Sequence, residues 1–279
     1  MKNILKIMLM MITIFTIAGS AVYAAEIPVS DQDQLITSRD WTEISNLQDE
    51  MKKEEPDATI DYDKALKVYV DCNLIKLQTA DTKKLTSALE SANYVWVIPF
   101  KMEKTYGMFT VAKGLPLREE AKSVLTKAEQ EEVKNHAGKW MITETAEHTV
   151  EPYYDILLEK REALSDCTRV VLVGSQPGMR QPVALGMDDE TARIWISLGY
   201  QYPVMEKIPE TQNVESGVYS FDSVAEISDT YIEDSEVSTG AGVQSRSSMK
   251  YVAGIGIIVI GSIIILSVLK KKKLEQSGE

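Results

Sequence analysis

The run Tyr251–Leu269, "YVAGIGIIVIGSIIILSVL", contains no charged side chain and is followed at once by Lys270, Lys271, Lys272 and Lys273. As a helix it reaches about 28 Å, the hydrocarbon thickness of a bilayer. In lipid the backbone must satisfy its own hydrogen bonds, which selects helix despite the many isoleucines and valines. The same run buried in a soluble protein would need apolar neighbours on every side. The sequence therefore predicts a transmembrane helix over 251–269. Lys270, Lys271, Lys272 and Lys273 act as the stop-transfer signal and stay cytoplasmic with the short tail 270–279.

The other end of the chain carries a matching signal. Lys2 and Lys6 precede an apolar core from Ile7 to Ala18, and Val22-Tyr23-Ala24 supplies a cleavage site. This pattern reads as a signal peptide over 1–24, cut between Ala24 and Ala25. The apolar core is short for a span, so an uncleaved anchor is the lesser reading. Both signals place the intervening chain outside the membrane, in type I single-pass topology.

Charge follows the same partition. The whole chain carries −12; residues 1–24 contribute +2 and residues 250–279 contribute +3, so residues 25–249 carry −17. An exterior this acidic repels nucleic acid and anionic lipid at long range. It suits solubility, cations or a basic partner. No Asn-x-Ser/Thr sequon occurs, which favours a bacterial origin.

Between the signals, helical and strand patterns are mixed. Trp41, Ile44, Leu47 and Met51 are spaced for one helical face, and Asp81 is placed to cap a helix with Leu85 and Leu89 inward. Pro116 opens the clearest helix, through about His136, with Ala121, Val124, Leu125 and Ala128 as its apolar face and Gly138 to end it. Glu151-Pro152 opens another, with Tyr154, Leu157, Leu158 and Leu164 inward. "ALKVYVDCNLIKL", "NYVWVIPF", "YGMFTVAKG", "KWMITET", "CTRVVLVG", "PVALGM" and "ARIWISLGY" read as strands. Strands often follow one another directly, so the expected fold is α+β with a largely antiparallel sheet and several packed helices. The domain is expected over 25–209. An acidic, Ser- and Glu-rich stalk follows over 210–250, with one short docked helix at 221–232. The last polar stretch behaves as a flexible tether spanning about 22 Å.

The layout of tether, span and basic tail resembles that of Gram-positive proteins joined to the wall by sortase. Those carry Leu-Pro-x-Thr-Gly before the span. Here Thr239 and Gly240 match, but Glu236 and Val237 stand in the leading places. The segment reads as a retained anchor. Gly254 and Gly261 share one face of the span and provide a place for two such helices to approach as a homodimer.

Candidate chemistry is sparse. Cys72 and Cys167 are the chain's two cysteines. An oxidising exterior permits a bridge between them, which would close about 95 residues and be worth on the order of 4 kcal/mol; two buried free thiols are the alternative. His136 falls at a helix end, where a cation suits the dipole. His148 and Glu151 lack the spacing of a helical zinc motif. Ser175 in "VGSQPGMRQP" is misplaced for a nucleophile elbow. Asp61, Asp63 and Asp188-Asp189-Glu190 lack an EF-hand ligand pattern. No catalytic, metal or cofactor motif is legible. The expected function is a non-enzymatic binding domain at a bacterial cell surface, held by the lipid bilayer and recognising a protein or glycan. The alternatives are a surface hydrolase with dispersed carboxylates and an accessory subunit of a membrane complex.

Overall fold

Leu66–Val70 reads Leu-Lys-Val-Tyr-Val, and its first four side chains are all buried. Since side chains alternate between the faces of a strand, this strand is covered on both sides. A computed structural model describes residues 27–148, 151–174, 176, 179, 182–198, 205–208, 213–215 and 217–228. The expected signal peptide with its cleavage site at Ala24 and Ala25, the expected span at 251–269 and the expected stop-transfer Lys270 to Lys273 lie outside the described residues. Within these, no helix is long and apolar enough to cross a membrane.

The fold is α+β, built on one mostly antiparallel sheet. Its strands are β1 (Thr59–Ile60), β2 (Leu66–Val70), β3 (Asn93–Lys101), β4 (Tyr106–Lys113), β5 (Trp140–His148), β6 (Arg169–Val173), β7 (Val183–Met187), β8 (Ala192–Ser197), β9 (Asn213–Glu215) and β10 (Val218–Ser220). The order is β5-β4-β3-β2-β6-β7-β8-β10-β9, with β1 added beside β3. Two antiparallel meanders thus stand back to back. They meet only where β2 and β6 run parallel, with Val68 opposite Leu172 and Tyr69 opposite Val173.

Three apolar clusters cover the sheet. On one face, Trp96, Ile98 and Phe109 pack against α1 (Trp41–Ile44) and α2 (Gln48–Glu54) through Ile44 and Met51. On that same face, Val171, Leu185 and Trp195 pack against α3 (Thr82–Ser91) through Leu85 and Leu89. The opposite face carries Leu66, Val68, Leu172 and Ile196. These are covered by Ile27 and by α6 (Tyr153–Glu159) through Tyr153 and Leu157. Leu158, expected inward, points to solvent at 36% exposure.

Local chemistry explains where the helices start and break. Asp81 caps α3 as expected, its carboxylate accepting from the Lys84 N–H at 3.0 Å. The helix expected to carry Trp41, Ile44, Leu47 and Met51 is broken by a 3-10 turn at Ser45–Leu47, where the Ser45 and Asn46 side chains donate back to the Thr42 carbonyl. The helix expected over 116–136 is two pieces, α4 (Glu119–Lys122) and α5 (Lys127–His136). Thr126 restarts it with a capping box, exchanging bonds with Glu129 at 3.3 and 2.6 Å.

The folded unit also runs past 209. β10 pairs with β8, and the helix α7 at 221–228 buries Phe221 and Val224 in the cluster around Trp195. This helix lies within the docked helix expected at 221–232.

Phe100 and Phe109 pack with ring centroids 4.6 Å apart, and a Cβ at Gly107 would lie 2.1 Å from the Phe100 ring. Phe100 is buried and has no room to retreat. We expect Gly107→Ala to destabilise the domain by about 1–3 kcal/mol through overpacking, read as a lower midpoint in denaturant unfolding. An unchanged midpoint would mean the ring has freedom this packing denies it.

Candidate functional site

Lys67 is the residue that the apolar pattern of β2 does not explain. Its side chain is buried between two aspartates and three rings. Asp33, in the 3-10 turn Asp31–Asp33, lies 3.4 Å from the Lys67 ammonium. The Asp33 carboxylate also accepts from the Tyr69 hydroxyl at 2.7 Å, the Ser30 hydroxyl at 2.6 Å and the Arg169 guanidinium at 3.0 Å. Lys67 stands over the rings of Tyr94 and Trp96, 4.8 and 5.3 Å from their centroids. Those two rings in turn donate to Asp40 at 2.8 and 3.1 Å.

Burial alone would raise the pKa of Asp33. Its hydrogen bonds from Ser30 and Tyr69, and the charges of Arg169 and Lys67, outweigh this and hold it below 3.8. Burial pushes Lys67 below 10.5, with Asp33 pulling the other way. An ionised carboxylate offers about four acceptor positions, and four partners occupy those of Asp33. It therefore ties segments together and is not free to take a proton from a substrate.

What it ties is the joint between the meanders. Segment 28–35 crosses the amino ends of both parallel strands. Val170 donates to the Pro28 carbonyl at 2.8 Å and Leu35 to the Ala65 carbonyl at 3.2 Å. At the carboxyl ends the clamp is Gln176, 3% exposed. Its amide donates to the carbonyls of Cys72 and Gly174 at 2.6 and 2.9 Å, and accepts from the Leu74 N–H at 3.1 Å.

Cys72 and Cys167 are free and buried. This is the second of the two alternatives: Cys72 packs beneath α3 and Cys167 beneath α6, in clusters on opposite faces of the sheet. Burial, reinforced by Asp71 for one and Asp166 for the other, pushes both thiols up to about 11. They are poor nucleophiles at neutral pH. His136 closes α5, where the dipole argument places it. His148 ends β5, and its side chain, like Ser175, lies outside the described residues. Asp188 organises the β7–β8 turn, accepting from Glu190 and Thr191 N–H groups and pairing with Arg193. Asp61 pairs with Lys64 at 3.8 Å. Among the described residues no three His, Cys, Asp or Glu side chains converge as metal ligands.

The surface feature that stands apart is the excursion between β4 and β5. Its neck is closed by hydrogen bonds from Gly114 N–H to the Lys139 carbonyl (2.9 Å) and from Gly138 N–H to the Gly114 carbonyl (2.8 Å). Gly138 takes φ +75°, the left-handed conformation expected after a helix. Beyond this neck, residues 115–137 form an arm in which α5 has no buried residue. Val124 is 79% exposed, the most open large apolar side chain among the described residues, and Leu115 is 37% exposed. Of the apolar face predicted to turn inward, Val124 and Ala128 are exposed and Ala121 and Leu125 are half-buried. The stretch 115–139 holds five basic and five acidic side chains and is neutral.

Comparison with protein-family models, with curated proteins and with solved structures gives no match.

The tie at Asp33 has a measurable signature. Asp33→Asn leaves Lys67 and Arg169 short of a counter-ion and should cost about 3–5 kcal/mol. Because the folded pKa of Asp33 lies below 3.8, its contribution is complete above the unfolded value and is lost as pH falls through the lower, folded value. In denaturant titrations the gap between wild type and variant should narrow below pH 3.8. A constant gap would place the effect elsewhere than in the charge.

Proposed function

We propose that the chain is a type I single-pass protein of a bacterial cell surface whose extracytoplasmic domain binds a partner and does not transform one. The observation that carries this reading is the arm. Val124 stands 79% exposed in the turn between α4 and α5, and covering it on a partner would remove its apolar area from water. The titratable groups at the centre of the domain support the same reading, since Asp33, Asp40 and Lys67 are committed to each other and to the rings around them. The signal peptide over 1–24 and the span over 251–269 would hold the arm outside the cell, near the membrane.

Two measurements test this. The mature protein should begin at Ala25, and a reporter at the C-terminus should be shielded from external protease while the domain is cut. Replacing residues 115–137 with a short Gly-Ser turn between Gly114 and Gly138 should leave the thermal midpoint nearly unchanged, because the neck already closes there. The same change should remove the adducts that mild crosslinking captures on intact cells. An unprocessed N-terminus, or an adduct pattern unaltered by loss of the arm, would overturn the reading.

A further inference from the structure

We propose that the Lys67 ammonium and the Asp33 carboxylate condense into an intramolecular amide, a covalent clasp between the N-terminal segment and β2. The clasp is independent of the binding role.

The two side chains are 9% and 2% exposed, and the Lys67 Nζ lies 3.4 Å from the Asp33 Oδ1. Cγ, the atom to be attacked, is bonded to that oxygen. Holding two reacting groups at about this separation supplies much of the entropic part of a barrier in advance. The neighbouring donors fit the step. As Nζ adds to Cγ, negative charge builds on Oδ2, which accepts from the Ser30 hydroxyl at 2.6 Å and the Arg169 guanidinium at 3.0 Å. Donors fixed on that oxygen stabilise the charge as it forms. Oδ1, the oxygen that leaves, accepts from the Tyr69 hydroxyl at 2.7 Å, which eases its departure.

The balance closes within the pair. The Nζ–Cγ bond forms and the Cγ–Oδ1 bond breaks. Two of the three ammonium protons pass to Oδ1, directly or through Tyr69, and it leaves as water. The amide nitrogen keeps the third, and no other reactant is consumed. An ionised carboxylate is a weak electrophile, so the step is slow, but it runs only once per molecule. Burial favours a neutral product over a desolvated ion pair, and it pushes Lys67 down towards the free amine that must attack. The rings of Tyr94 and Trp96 lie over Nζ and keep water from the product. The ion pair and its acid titration belong to the chain before closure, since an amide carries no charge.

Intact mass of the full-length protein purified from its own membranes tests the clasp. Most molecules should be lighter by one water than the chain read from its sequenced N-terminus, so the result does not depend on removal of a signal peptide. Trypsin should leave the bond after Lys67 uncut, and the peptide ending at Arg39 should be recovered joined to Ala65–Lys76. Lys67→Met should show no deficit. A deficit that persists in Lys67→Met reports a cyclic imide at an aspartate and overturns the proposal. Wild-type protein of full mass, cut by trypsin after Lys67, also overturns it and requires no variant to fold.

Discussion

A lysine ammonium inside a sheet covered on both faces must find opposite charge, and around Lys67 the rest of the domain is arranged to supply it. Desolvating such a group costs several kcal/mol unless it is paired and hydrogen-bonded. Asp33 answers from the N-terminal segment, Asp40 answers through Tyr94 and Trp96, and Arg169 answers from the neighbouring strand by saturating Asp33. These residues come from three pieces of chain, segment 28–40, β3 and β6. The cost of burying one charge thereby fixes where segment 28–40, the first meander and the second meander lie relative to one another.

The joint needs this help because it is short. β2 and β6 share two paired positions, and no hairpin connects them. Hydrophobic contact beneath the sheet is continuous from Leu66 to Ile196, but it is non-directional and would tolerate a slip. Hydrogen bonds to the Pro28 and Ala65 carbonyls at one end, and to Gln176 at the other, set the register that apolar packing alone leaves loose.

Much of this architecture is legible in the sequence. The strand at Asn93–Lys101, the cap at Asp81 and the helix stop at Gly138 follow from local rules about alternation, capping and glycine. What escapes those rules is tertiary. Asp33 and Asp40 sit in a polar segment with no periodicity, so nothing local marks them as buried. The one available signal was Lys67 itself, flanked by Leu66 and Val68 in a strand with no polar side, which demands a counter-ion from somewhere distant. The arm fails in the opposite sense. Ala121, Val124, Leu125 and Ala128 have helical spacing, but spacing cannot say whether a core lies opposite. The Thr126-to-Glu129 box, visible as Thr-x-x-Glu, marks the break between α4 and α5.

The parallel joint also has a consequence for the order of events in biogenesis. Gln176 and Leu74 are 102 residues apart, whereas the strand pairings within the first meander close nearer in sequence. A chain made from its N-terminus can complete β1 to β5 before β6 exists. During that interval β2 is an open edge, with unpaired backbone groups facing outward. Asp33, upstream of Lys67, is already present to neutralise it, whereas Arg169 arrives only with the strand that closes the edge. The half-made domain is thus electrostatically provided for but open along one side until β6 arrives.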